Sequence, residues 1–160
     1  MAKSAKPQPK ASPKAQPKER PGGRSARVLS GVLRAAAEEL ADSGYAGFRV
    51  ERVAAAAGVN RSTIYRRWPD KVQLIEEAVR ALKVVDMPDR GSLLADIEVM
   101  VEGLKTRAES PEWRAVLRVM TTEMHHPEVQ AMSLRLRAHF QAPWLACVRR
   151  AVARGELPAA

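Results

Sequence analysis

Between residues 28 and 82 the apolar side chains recur at helical rather than strand spacing. Val28, Leu29, Val32, Leu33, Ala36, Leu40 and Ala41 make one stripe, while Arg34, Glu38 and Asp42 lie off it. The stripe predicts a first helix from Arg24, stopped at Gly44, a residue suited to the left-handed position just past a helix end. A shorter helix is expected from about Arg49 to Ala57, with Phe48, Val53, Ala54 and Ala57 facing inward. Gly58 supplies the reversal and Val59 fills the corner. Asn60 can accept from the free amides of a third helix that runs to about Trp68. Pro69-Asp70 opens a fourth, carried on by Val72, Leu74, Ile75, Ala78, Val79 and Leu82.

The second half repeats the pattern on longer segments. Ser92 caps a run with Leu93, Leu94, Ile97, Met100, Val101 and Leu104 on one stripe. Ser110-Pro111 opens another, carrying Trp113, Val116, Leu117, Met120 and Met124. His125 and His126 are expected to end it, facing the negative end of the helix dipole. Pro127 starts a longer segment through Val129, Met132, Leu134, Leu136 and Phe140. Pro143 removes a backbone donor, so a kink or short break is expected near Ala142 before helix resumes to about Arg154. The fold class is all-α, with a three-helix helix-turn-helix domain at residues 24–84 and a helical domain at residues 85–160.

Composition changes the picture mainly through the placement of charge. The 160-residue chain carries a net +9. Residues 1–27 hold eight Lys or Arg against Glu19 alone, residues 85–160 ten of each sign. The opening MAKSAKPQPKASPKAQPKERPGG is too poor in large apolar groups to offset its ordering entropy, so residues 1–23 read as a disordered basic arm. Such an arm either serves solubility alone or lies along phosphates and adds salt-dependent affinity. No apolar run is long enough to span a membrane, and the positive N-terminus lacks the apolar core of a secretory signal. Cys147, the single cysteine, excludes an internal disulfide and reads as a small buried residue suited to a reducing cytoplasm.

The stretch AAAAGVNRSTIYRRWPDK, residues 54–71, carries the chemistry. Small alanines let two helices approach closely and Gly58-Val59 turns the chain. Ile64 and Trp68 are spaced to point inward, which leaves Arg61, Ser62, Thr63, Tyr65, Arg66 and Arg67 for the opposite face. A second helix presenting hydroxyls and arginines in this way can enter a major groove and reach base edges and phosphates.

The segment GYAGFRVERVAAAAGVNRSTIYRRWPDKVQLIEEAV resembles the DNA-binding domain of the tetracycline-repressor (TetR) family of bacterial transcription regulators. The likeness covers about residues 26–84, and PDRGSLLADIEVMVEGL and RRAVARGEL resemble the regulatory part of one subgroup. The resemblance implies a helix-turn-helix motif from Arg49 to Trp68 with Asn60 at the recognition-helix cap. It implies base and backbone readers at Arg61, Ser62 and Thr63, and backbone contacts from Tyr65, Arg66, Arg67 and Lys71. Arg49 stands where the family usually has a capping Thr; it cannot accept an amide hydrogen bond but can reach a phosphate.

No catalytic constellation, cofactor motif or metal-ligand spacing is present; the adjacent His125 and His126 point about 100° apart on a helix. Met100, Trp113, Met120, Met124 and Phe140 read as core or as the lining of a ligand cavity. The resemblance favours the cavity, since such proteins usually bind an inducer there. The expectation is a cytoplasmic, non-enzymatic, ligand-responsive repressor of a palindromic operator; the alternative is an accessory DNA-binding protein without a ligand. The family norm is a homodimer built by two further helices after RAVARGEL. A chain that stops at Ala160 is expected to self-associate poorly through the apolar surface near Phe140, Trp144, Leu145 and Val148.

Overall fold

The computed structural model describes residues 23–82 and 89–158; the basic arm, apart from Gly23, lies outside them. Seven helices occur among the described residues: α1 (Gly23–Gly47), α2 (Val50–Ala56), α3 (Arg61–Arg67), α4 (Lys71–Ala81), α5 (Leu93–Ala108), α6 (Pro111–Thr122) and α7 (Pro127–Ala153). The all-α expectation holds over these residues.

Local chemistry accounts for most helix ends. Within α1, Gly44 adopts φ 68° and ψ −174°, which halts the regular helix and leaves Tyr45 to Gly47 as a separate turn. After α2 the Gly58 amide bonds to the Ala55 carbonyl and the Val59 amide to the Ala54 carbonyl, with Gly58 at φ 65°. Asn60, Asp70, Ser92 and Ser110 each accept an amide hydrogen bond in the first turn of the helix they precede. The expected caps and the Ser-Pro start of α6 are in place.

Two expectations fail. α7 runs without a break through Pro143. A proline interior to a helix removes a single backbone bond, and the turns on either side are held by the buried Leu136 and Cys147. The paired histidines do not close α6, which ends at Thr122; they lie in the turn before α7, where the His126 ring sits 5.4 Å from that of Tyr45.

One buried cluster joins both halves. Val32, Ala36 and Leu40 of α1 meet Leu74, Ile75 and Val79 of α4, then Val116 and Val119 of α6 and Met132 and Leu136 of α7. Leu74 and Ile75 are wholly buried, and each such side chain contributes about 1.5–3 kcal/mol. α1 packs on α6 and α4 on α7, while α2 and α3 project from the far side of α1. The sequence boundary near residue 84 therefore divides the chain without dividing the core.

α5 is attached differently, through a buried charge. Asp96 accepts the Arg90 amide at 2.8 Å and pairs with Arg150 at 3.2 Å and Arg154 at 3.5 Å on α7. The Arg90 amide, followed by the Arg150 guanidinium, holds the Asp96 carboxyl below the usual carboxylate range. Cys147 is buried beside it, Sγ 3.8 Å from Oδ2, and burial pushes its thiol up.

Candidate nucleic-acid interface

The display face of α3 follows from what α3 buries. Ile64 and Trp68 are 1% and 4% exposed, so Arg61, Ser62, Tyr65, Arg66 and Arg67 stand in solvent, with Thr63 half-buried at the edge. Asn60 Oδ1 accepts from both the amide and the hydroxyl of Ser62 at 3.0 Å, which presets the first turn. At the other end the Trp68 indole N–H donates to Glu77 Oε2 at 2.6 Å and pins α3 to α4.

The cations of this face are not equally available. Arg61 pairs with Glu51 at 3.1 Å, and Arg67 pairs with Glu77 at 3.5 Å while lying 5.4 Å over the Trp68 ring. Exposed pairs of this kind contribute only about 0–1 kcal/mol, so a phosphate or a guanine edge can replace the carboxylate. Arg49 and Arg66 have no ion pair or side-chain hydrogen bond among the described residues, and both are exposed. Lys71 is committed inward: its Nζ donates to the Tyr45 carbonyl at 2.9 Å and lies 4.1 Å over the Tyr45 ring. A phosphate contact from Lys71 would have to compete with that arrangement.

Arg49 occupies the cap position of α2 without a side-chain cap bond, in line with its chemistry. A carboxylate from α1 ties down the same turn. Glu39, 8% exposed, accepts from the Arg49 amide at 3.2 Å and the Ser43 hydroxyl at 3.1 Å, and pairs with Arg52 at 3.6 Å. Sequence reasoning missed it, although a signal existed: Glu39 is three residues from Ala36 on the core side of α1, and a charge there requires partners.

Beyond the shared core, the end of α6 grips the reading head at the turn after α1. Arg118 of α6 donates to the Ala41 carbonyl at 2.8 Å, satisfying the free C-terminal end of the α1 helix. Five residues on, Glu123 accepts the Tyr45 amide at 3.0 Å and the Ala46 amide at 2.9 Å. A Cβ added at Gly44 would stand 2.6 Å from Glu123 Oε1, so the glycine serves the close approach as well as the positive φ. No periodicity in the sequence points to Arg118 or Glu123.

The other face of α6 borders a cavity of about 390 Å³ between α5, α6 and α7. Met100, Trp113, Met120 and Phe140 line it, and Trp113 meets Phe140 edge to face at 5.4 Å. Met124 does not; it lies beyond the last turn of α6 and packs against the main core. Among the described residues no helix is long and apolar enough to cross a membrane, and no group of three or more metal-ligating side chains forms.

Comparison with known proteins gives a consistent family. The profile of bacterial regulatory proteins, tetR family, matches residues 32–78, and that of the tetracyclin repressor-like C-terminal domain matches residues 87–160. The HTH-type transcriptional regulator AqdR of Rhodococcus erythropolis is 32% identical over 66% of this chain, which spans about half (52%) of that protein. The DNA-binding transcriptional repressor TetR of Mycobacteroides abscessus is 32% identical over 78% of this chain and 68% of its own length. The crystal structure of a tetR family transcription regulator from a Shewanella species covers 83% of this chain and 74% of its own, with a TM-score of 0.61. At 22% identity it speaks for the fold.

Proposed function

We propose that this chain, which belongs to the tetR family of bacterial regulatory proteins, is a DNA-binding transcriptional regulator that represses and is released by a small molecule. The single observation carrying this reading is the position of α6. One face lines the cavity through Trp113, Val116 and Met120; the other packs on α1 through Ala115 and Val119. The end of the same helix holds the turn after Gly44 through Glu123. A ligand that displaces α6 therefore acts on the support of the reading head. Close packing makes such a displacement a shift between arrangements rather than a local dent.

In DNA binding, α3 enters the major groove. Arg61, Ser62 and Thr63 meet base edges, Tyr65, Arg66 and Arg67 meet backbone, and Arg49 approaches from the start of α2. The cap residue Asn60 holds the first turn of α3, and Lys71 supports the Tyr45 turn. The operator is a palindrome read by two copies. A footprint on the DNA upstream of the gene tests this: one discrete palindromic protection is the expected result. Uniform coating, with protection set only by salt, would replace the repressor with an accessory DNA binder.

A further inference from the structure

Resting on the reading of the α5–α6–α7 cavity as an effector site, we propose that the effector is an amphipathic organic anion. It has a compact lipophilic body, aromatic or branched, and one carboxylate held by Arg107 and Arg137.

The wall is apolar on most sides, with Met100, Trp113, Met120, Leu136, Phe140 and Trp144 among its residues. The half-buried Arg107 from the last turn of α5 and the exposed Arg137 of α7 complete it with Ser133 and Gln141, and no Asp or Glu does. The charge of the lining is thus +2 with nothing inside to balance it. Elsewhere on the same helices, arginines near buried surface are compensated: Arg150 and Arg154 by Asp96 and Asp89, Arg135 by Glu76. Arg107 and Arg137 have no carboxylate partner or side-chain hydrogen bond among the described residues.

Arg107 is half-buried, with its guanidinium 5.4 Å above the Trp113 ring. Burial makes its charge harder to hold than that of an ordinary arginine. The indole face offsets part of that cost and keeps the planar group oriented, and its N–H donors stay open to water or a ligand. A carboxylate matches that fork with two parallel hydrogen bonds, whereas a neutral amide or alcohol does not neutralise the charge. The body of the ligand would then lie against Trp113, Phe140 and the methionines, whose unbranched side chains adapt to several shapes. A cavity of about 390 Å³ is near the lower end of small-molecule sites, roughly 300–1,000 Å³, which favours one or two rings or a medium chain.

The test uses the full chain and a pair of probes that share a body and differ in charge, 1-naphthylacetate and 1-naphthylacetamide, titrated by calorimetry at neutral pH. The carboxylate should bind about tenfold or more tightly than the amide. The double variant Arg107→Gln, Arg137→Gln should erase that preference by weakening the carboxylate about tenfold or more, with the amide still bound, which also reports that the cavity is intact. Arg107→Lys should retain part of the preference. Equal binding of the two probes, binding of neither, or a preference that survives in the double variant overturns the proposal. DNA release is read separately: carboxylate binding that leaves the DNA complex intact keeps the anion assignment and removes the ligand-released repressor reading.

Discussion

The reading head, residues 23–82, and the distal helices, residues 89–158, solve the same packing problem to different degrees. Among large apolar side chains the head exposes Val28 and Tyr65, and Tyr65 lies on the display face of α3. The distal part exposes nine: Leu94, Ile97, Val101, Leu104, Leu117, Leu134, Trp144, Leu145 and Val148. It also holds the apolar cavity, and its α5 is tied to α7 through the buried charge of Asp96. A groove reader must hold side chains to a fixed geometry, and the starts of α2, α3 and α4 are tied by Glu39, Asn60 and Asp70. On the effector reading proposed above, the distal part must accommodate a guest, and looser packing lowers the cost of changing shape. The two share one core, and Arg118 and Glu123 add polar ties at the end of the α1 helix.

The sharpest way to break this contrast is at that meeting point. Gly44→Ala combines positive-φ strain with a Cβ driven toward Glu123, and should destabilise the protein by about 2–4 kcal/mol. Gly58→Ala also carries positive-φ strain but has nothing within 4 Å of the new Cβ, so it should cost only about 1–2 kcal/mol. Urea unfolding of both variants measures the difference; equal losses would mean that the Glu123 contact contributes nothing.

Glu123→Ala removes the acceptor from two amides and should lower stability by about 1–3 kcal/mol. Its larger consequence should be functional, with operator affinity largely kept and the response to a cavity ligand lost. Gel-shift titrations with and without ligand read this directly, and an unchanged response would place the coupling on another route, such as α4 against α7.

Within the head, Arg61→Ala should relax base preference at one position by roughly 1–3 kcal/mol if the guanidinium meets a guanine edge. A binding-site selection that returns an unaltered motif would remove Arg61 from the base readers. The smallest effect is expected from Tyr65→Phe, a loss of about 0.5–1.5 kcal/mol spread evenly over all DNA sequences, because a phosphate contact carries no base information. A selective loss at one base pair would reassign the tyrosine to readout.

Much of the head was legible in the sequence. The display face of α3 needed only the spacing of Ile64 and Trp68, and the cap at Asn60, like those at Ser92 and Ser110 in the distal part, acts within three residues of itself. Gly44 and Gly58 announced their turns because left-handed backbone strongly favours glycine. These features depend on neighbours along the chain, and a sequence records neighbours.

Tertiary structure alone decided the rest. The Glu123 bonds to Tyr45 and Ala46 span 78 and 77 residues, and the Arg118 bond to Ala41 spans 77. Asp96 reaches 54 residues to Arg150. Nothing in local spacing pairs such groups; burial does, because a charge carried inward with its helix must find whatever partner the packing brings near. The same holds for Pro143, which local rules mark as a break and which the buried turns on either side carry through as helix. Met124 stands outside the cavity lining because α6 ends at Thr122, short of it, and Arg107 and Arg137 entered the lining from two helices that no periodicity relates.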